Sequence, residues 1–234
     1  MKIPKFIHQI WLGNNKMPDL MLEWRKKWAD LHPGWVCLLW HEQIRSSPVL
    51  HCIDIGHFIT LGPERQLMLK RAANLSQRTN IWRYNLMYWM GGLYVDTDVE
   101  PVKPIDGLVE NLEAFTSART NNPNIYECAL IGTTPKHPWL GDLLDNLHTK
   151  DPSVSRSLGV DYFTPLTKSH PEVSLLPEKA FLSDYPSQWI VKGAPPYVEN
   201  NRPQLTDDIY AIHHWSSRWF SRGFDYIPET ERQI

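Results

Sequence analysis

Asp96-Thr97-Asp98 places two carboxylates one residue apart, directly after the apolar, β-prone run Leu93-Tyr94-Val95. Such neighbours repel each other, and a hard divalent cation with oxygen ligands is the usual remedy. An ion of this kind keeps positions open for water or for substrate phosphates. Asn80 and Arg83 lie three residues apart just upstream. On a helix they share one face, so Arg83 can serve a phosphate or a sugar hydroxyl beside the metal. Alone, a D-x-D is short enough to be a solvated turn with a surface arginine nearby. The longer pattern from Arg83 through Gly91-Gly92 and Tyr94 to Asp98 is far more specific.

The elements that must position these groups can be read on either side. Residues 76–90 predict a helix with Ser76 as N-cap and no Gly or Pro inside. Gly91-Gly92 ends it, because glycine accepts the left-handed conformation of a C-terminal cap. Leu93–Val95 then reads as a buried strand with the D-x-D at its C-terminal end, where open α/β sheets bind ligands. Upstream, Ile3–Leu12 predicts a first buried strand, Pro18–Leu31 a helix and Trp35–Trp40 a second strand, the beginning of a parallel sheet. Leu20, Trp24, Trp28 and Leu31 form that helix's apolar stripe, so its tryptophans belong to the core. Residues 41–62 predict short helices carrying His41, His51 and His57 without metal-ligand spacing. Downstream, a strand is expected over Glu113–Ala118, a turn at Asn121–Asn124, a helix over Trp139–His148 and a strand near Val173–Leu176. The Pro-rich reach from Pro171 to Pro203 otherwise reads as loops suited to acceptor binding or to a lid.

The 234 residues suffice for one substantial α/β domain, and 42% hydrophobic with 21% charged residues is ordinary for a globular protein. A net charge of −2 does not resemble a nucleic-acid-coating protein, although a nucleic-acid acceptor stays open. Cys37, Cys52 and Cys128 show neither metal spacing nor an even count, which suits a reducing compartment. No apolar run reaches transmembrane length. These features predict a protein of the cytoplasm, or one peripheral to the inner face of a membrane.

The stretch from Ser76 to Lys103 resembles the DXD-containing sugar-transfer region of glycosyltransferase family 32 and, more distantly, the glucosylating toxins of clostridia. The resemblance extends to the opening Ile3–Gly13 and to Tyr210–Trp219, where Arg218 replaces the usual serine. It implies a GT-A-like α/β fold: a Rossmann-like mixed sheet with flanking helices in a single domain over 1–234. Residues 1–104 would form the nucleotide-sugar-binding half, and 105–234 the acceptor half with a C-terminal metal and diphosphate segment. The implied reaction is metal-dependent, retaining transfer from a UDP- or GDP-sugar to a hydroxyl acceptor, a glycan or lipid-linked glycan, with Mn2+ or Mg2+.

By the same resemblance, Asp96, Asp98 and Arg83 carry the catalysis. Trp11 flanks the nucleotide base, and the backbone around Ile10 reads its edge. Asn80, Arg83, Tyr94 and Asp96 contact the donor, with Glu127 beneath its sugar or simply a strand-end carboxylate. Ser217 and Trp219 sit at the diphosphate. Asp98 ligates the metal, with His214 ahead of His213 as its partner, since neighbours on a strand point to opposite faces. Asn80 departs from the family's aspartate and Gly159-Val160 from its Gly-Pro; the first departure predicts a donor unlike the usual hexoses. Two other classes compete. A haloacid-dehalogenase-type phosphatase expects Thr or Val where Glu100 stands, and a non-catalytic sugar-binding module needs neither Arg83 nor the D-x-D.

Overall fold

A computed structural model describes residues 2–13, 16–42, 52–120, 122–183 and 205–214. Strand β1 (Phe6–Ile10), helix α1 (Asp19–Leu31), β2 (Val36–His41) and β3 (Cys52–Asp54) open the chain. Short α2 (Ile55–Phe58) leads through α3 (Pro63–Arg71) to the long α4 (Leu75–Met90). β4 (Gly92–Val95) and β5 (Val99–Pro101) then flank the two aspartates. Next come α5 (Asp106–Val109), β6 (Ala114–Thr116), and the hairpin of β7 (Ala118–Arg119) and β8 (Asn122–Tyr126). β9 (Leu130–Thr133), α6 (Pro138–Asp145), α7 (Val160–Lys168), β10 (Ser174–Leu175), β11 (Phe181–Leu182) and β12 (Ala211–His213) complete the described elements.

Seven strands form one mixed sheet in the order β10-β6-β9-β4-β1-β2-β3. β1 pairs in parallel with β2 and β4, β2 with β3, and β10 with β6, whereas β9 runs antiparallel to β4 and β6. The chain builds outward from β1 to β2 and β3, then returns to place β4 on the other side of β1. That reversal is a topological switch point, and it opens a crevice at the C-terminal ends of β1 and β4. A second sheet, β11-β12-β5, stands beside it. The mixed sheet with flanking helices is the architecture the sequence predicted.

Alternation along the strands divides the core. Leu93 and Val95 face a cluster with Ile7, Trp28 and Phe115, while Tyr94 and Ile131 face the cluster built on α4, α6 and α7. α4 is buried almost all round, from Gln77 through Met87 with only Arg78 excepted, so its polar residues must find partners inside the fold or line a cavity. Its ends follow the expected logic with one correction. Asn74, rather than Ser76, is the N-cap, and its side chain accepts from the Gln77 amide at 2.9 Å. Gly91 and Gly92 adopt φ of 61° and 96°. A Cβ on Gly91 would lie 2.7 Å from the Thr133 carbonyl, so both backbone and space require glycine.

His8 fastens this helix end to the sheet. Its Nδ1 accepts from Trp40 Nε1 at 3.0 Å, which leaves Nε2–H to donate to the Gly91 carbonyl at 2.9 Å. Burial pushes its pKa down to about 4, against the partial support of that carbonyl.

Other expectations shift locally. Residues 122–124, expected within a turn, belong with Ile125 and Tyr126 to a strand that pairs with β7. Among the described residues of 41–62, 55–58 are helical and 52–54 form an edge strand instead. On α1 the buried positions are Met21, Trp24 and Trp28, which confirms the core reading of its tryptophans. Residues 184–204 of the Pro-rich reach lie outside the described residues. No described helix is long and apolar enough to cross a membrane.

Candidate active site

A cavity of about 410 Å³ opens at the switch point, a volume typical of small-molecule sites. Ile10, at the end of β1, and Asp96, Thr97 and Asp98, after β4, line one part of it. Ser76, Thr79, Asn80 and Arg83 line another, at the i, i+3, i+4, i+7 spacing of a single helix face. Arg119, Glu127 and Cys128 come from the hairpin and the turn before β9, Arg156 and Gly159 from the loop before α7, and His213 from β12.

Each motif aspartate has a cationic or ionisable partner. Arg83 Nη2 lies 3.2 Å from Asp96 Oδ1, and the Tyr94 hydroxyl donates to the same oxygen at 2.6 Å. Arg83 also donates to the Cys128 carbonyl at 2.5 Å, and its guanidinium lies 4.7 Å from the Tyr94 ring centroid. Burial alone would lower the Arg83 pKa, but Asp96 above all outweighs it and raises it. Burial pushes the Tyr94 phenol well above its ordinary value, with Arg83 opposing and Asp96 adding, and pushes the Cys128 thiol up to about 12. Tyr94 and Cys128 are thus neutral hydrogen-bonding groups here.

The second aspartate meets a residue from the other end of the chain. β12 runs antiparallel to β5 with His213 opposite Val99, and the His214 amide donates to the Asp98 carbonyl at 3.0 Å. This register brings His213 Nε2 to 3.4 Å from Asp98 Oδ1. Burial would lower the His213 pKa, yet Asp98 outweighs it and holds it above the ordinary imidazole value. Asp96, Asp98 and His213 offer ligand atoms that all lie within 4.8 Å of one another. Two carboxylates and one imidazole at this spacing suit a divalent ion such as Mn2+.

Asn80 has a fixed orientation. Its Nδ2 donates to Gln77 Oε1 at 3.3 Å, and that oxygen also accepts from the Leu158 amide at 3.3 Å. Gln77 Nε2 in turn donates to the Val154 carbonyl at 2.6 Å and to Ser157 Oγ at 2.8 Å, so Gln77 cannot flip without losing all of these bonds. Asn80 Oδ1 and Thr79 Oγ1 are buried and have no hydrogen-bond partner among the described residues. Since both residues line the cavity, each offers hydrogen-bonding capacity to a polar ligand. The donor side of the Asn80 amide is occupied by Gln77, so the cavity meets an acceptor oxygen, as it would with an aspartate, but without the charge.

The structure therefore brings Ile10, Asn80, Arg83, Asp96, Asp98, Glu127 and His213 to one cavity. It does not bring His214 there. The His214 ring stacks on Trp24 at 4.5 Å between centroids, and its Nε2 lies 3.0 Å from Glu100 Oε2. Alternation sends adjacent histidines to opposite sides, and the strand register gives the cavity side to His213, which reverses their expected order. Trp11 packs with Met17, Met21, Trp24 and Leu39, away from the lining. Tyr94 lies beneath Asp96, fully buried. Glu127 is held by Arg119 Nε at 2.6 Å and by Ser183 Oγ at 3.0 Å. Ser217 and Trp219 lie outside the described residues. Ser76 and Thr79 were missed, although their helical spacing to Asn80 and Arg83 could have revealed them. Arg119 and Arg156 carry no such signal, because only chain packing brings them here.

Residues 18–131 match the family described as the glycosyltransferase sugar-binding region containing DXD motif. Inositol phosphoceramide mannosyltransferase 3 of Schizosaccharomyces pombe is 29% identical over 145 residues, which cover 62% of this chain and 37% of that protein. The chain spans between about a third and a half of the length of the first curated relatives it matches. Among solved structures, the PaToxG glycosyltransferase superposes with a TM-score of 0.59 at 19% identity, covering 73% of this chain and 70% of that one. Mouse xyloside xylosyltransferase 1 gives 0.50 at 12% identity, over 90% of this chain and 97% of that one. At such identities the structures speak for the fold, and the motif carries the likeness: over residues 18–131 the chain is similar to the glycosyltransferases whose sugar-binding region contains the DXD motif.

Proposed function

We propose that this chain transfers a glycosyl group from a nucleotide-diphosphate sugar, a UDP- or GDP-sugar, to a hydroxyl acceptor, with Mn2+ or Mg2+ at Asp98, His213 and Asp96. The observation that carries the reading is the grouping of these three side chains, within 4.8 Å, in a cavity whose helical face offers unsatisfied polar atoms. When bound, the metal would supply charge neutralisation for the departing nucleoside diphosphate. Asp98 and His213 hold the ion. Arg83 and Tyr94 act on Asp96 and fix its carboxylate, so Arg83 serves as a positioning residue. Asn80 Oδ1 accepts from a sugar hydroxyl, and the Ile10 end of β1 takes the nucleotide side.

The sugar passes through an oxocarbenium-like state. Retention by front-side attack is supported by the commitment of Glu127: bonded to Arg119 and Ser183, it is poised neither as the general base that inversion needs nor as the nucleophile of a double displacement. In this reading the acceptor hydroxyl attacks from the leaving-group side and the diphosphate takes its proton. The fungal relative's name, which specifies an inositol phosphoceramide, supports a glycan or lipid-linked acceptor. Residues 1–234 would act as one domain, with the donor half ending near residue 104. The three free cysteines suit work in the cytoplasm or at the inner face of a membrane.

Purified protein with a panel of UDP- and GDP-sugars, with Mn2+ or with EDTA, tests the reading. Metal-dependent release of nucleoside diphosphate is expected. Release of phosphate from aryl phosphates would point to the phosphatase, and sugar binding indifferent to EDTA to the binding module.

A further inference from the structure

Six of the acidic and basic side chains lining the cavity fall into three pairs: Arg83 with Asp96, Arg119 with Glu127, and His213 with Asp98. Arg156 lines the same cavity, is exposed, and has no carboxylate partner among the described residues. Its backbone φ is +68°, a left-handed value that a long side chain rarely adopts. The loop that carries it is tied firmly to α4. Asn74 Nδ2 donates to Ser155 Oγ at 3.2 Å, Gln77 Nε2 to the Val154 carbonyl at 2.6 Å and the Tyr84 hydroxyl to the Leu158 carbonyl at 2.8 Å. Arg156 is therefore held at the rim by a braced turn.

Four residues on, the nine-residue helix α7 begins at Val160, which also lines the cavity, and its N-cap Gly159 provides no side-chain cap. The first amides of a helix favour an anion. Asp161 of that first turn is exposed and is absent from the lining. Gly159 lies next to Asn80: a Cβ built on it would come 3.8 Å from Asn80 Nδ2 and 3.4 Å from the Arg156 carbonyl. Asn80, 3% exposed, has an unpartnered Oδ1 in the same cavity. That oxygen is an acceptor and suits a hydroxyl of the same ligand; a carboxylate at position 80 would add a full negative charge against an anion here, which the amide lacks.

We propose that Arg156 and the N-terminus of α7 form an anion-binding subsite on the Asn80 side of the cavity, which selects a substrate carrying a carboxylate or phosphate group beyond the donor diphosphate. The inference rests on the glycosyl-transfer reading above. The group has two possible sources: a uronic-acid sugar on the donor, or a phosphate on the acceptor.

Matched pairs separate them. UDP-glucose against UDP-glucuronate and GDP-mannose against GDP-mannuronate form the donor arm, measured by calorimetry with Mn2+. An alkyl glycoside with and without a phosphate monoester forms the acceptor arm, measured as binding to the protein loaded with Mn2+ and nucleoside diphosphate. In one arm the wild type should favour the anionic member by about tenfold, and Arg156→Gln should reduce that ratio to about one, while Arg156→Lys keeps most of it. Equal binding of both members in both arms, or an unchanged ratio in Arg156→Gln, overturns the subsite. Failure of the wild type to bind any nucleotide sugar in the presence of Mn2+ would instead overturn the underlying reading, and the subsite with it.

Discussion

Arg83 Nη2 stands 3.2 Å from Asp96 Oδ1, so the cation on α4 is the counter-charge of the motif's first carboxylate. The Arg83 side chain is 4% exposed, and its other hydrogen bond runs to the Cys128 carbonyl. A guanidinium so enclosed fixes the strand end to the helix and to the turn before β9. The sequence alone offered this arginine to a phosphate or a sugar hydroxyl beside the metal.

Breaking that pair should be costly. Arg83→Met leaves Asp96 without its cation and should destabilise the protein by about 3–5 kcal/mol. Urea unfolding of Arg83→Met, Asp96→Asn and the double variant measures the coupling. Additive effects would show that the pair does not fasten the two elements together.

The two histidines should separate in a metal titration. At metal 100-fold above its Kd, the wild type should gain about 2.7 kcal/mol of stability. His213→Ala should lose that gain. His214→Ala should start from a lower Tm, having lost the Trp24 stack and the Glu100 contact, yet keep it. Asp98→Asn should lose both the gain and some basal stability, because Asp98 is buried beside His213. A full Mn2+ response in His213→Ala would remove His213 from the metal site.

Restoring the family's aspartate at position 80 should not restore a better site. Gln77 is locked with Oε1 toward residue 80, so an aspartate would set acceptor against acceptor. Asn80→Asp should cost about 1–3 kcal/mol, the penalty for an unmet buried polar group. Chemical unfolding and kcat/KM across a nucleotide-sugar panel test this. A variant of unchanged stability and donor ranking would mean that Gln77 does not orient residue 80.

His8 gives a signed pH dependence. Its folded pKa of about 4 lies below the ordinary imidazole value of 6.5, so as pH falls below about 6.5 the unfolded chain takes up a proton that the folded chain refuses. Stability from this group is complete above about 6.5, declines as pH falls towards about 4, and loses roughly 3 kcal/mol in all. Gln can replace both hydrogen-bonding roles, and His8→Gln should flatten this part of the acid limb. Unfolding free energies at pH 7, 6 and 5 in wild type and variant provide the check; parallel slopes would show that His8 titrates normally.

The sequence by itself determined what depends on neighbours along the chain. Gly91-Gly92 had to stop a helix, the apolar, β-prone run made Leu93–Val95 a buried strand, and the order of strands and helices put Asp96 and Asp98 at the C-terminal end of a strand parallel to β1. Motif spacing also revealed the likeness to the DXD glycosyltransferases, because a functional pattern within one helix-turn-strand unit survives in linear form. Tertiary structure decided everything that depends on register between distant segments. Whether His213 or His214 meets Asp98 turns on one residue of β12–β5 pairing, since side chains alternate along a strand. Whether Arg83 faces a ligand or Asp96 depends on how closely α4 packs on β4, and residue types do not encode that distance. The orientation of Asn80 is set by Gln77, and that of Gln77 by a loop beginning more than seventy residues later along the chain. Arg156 carries no local signal because its place at the cavity is conferred by that loop's bonds to α4, a contact across the fold.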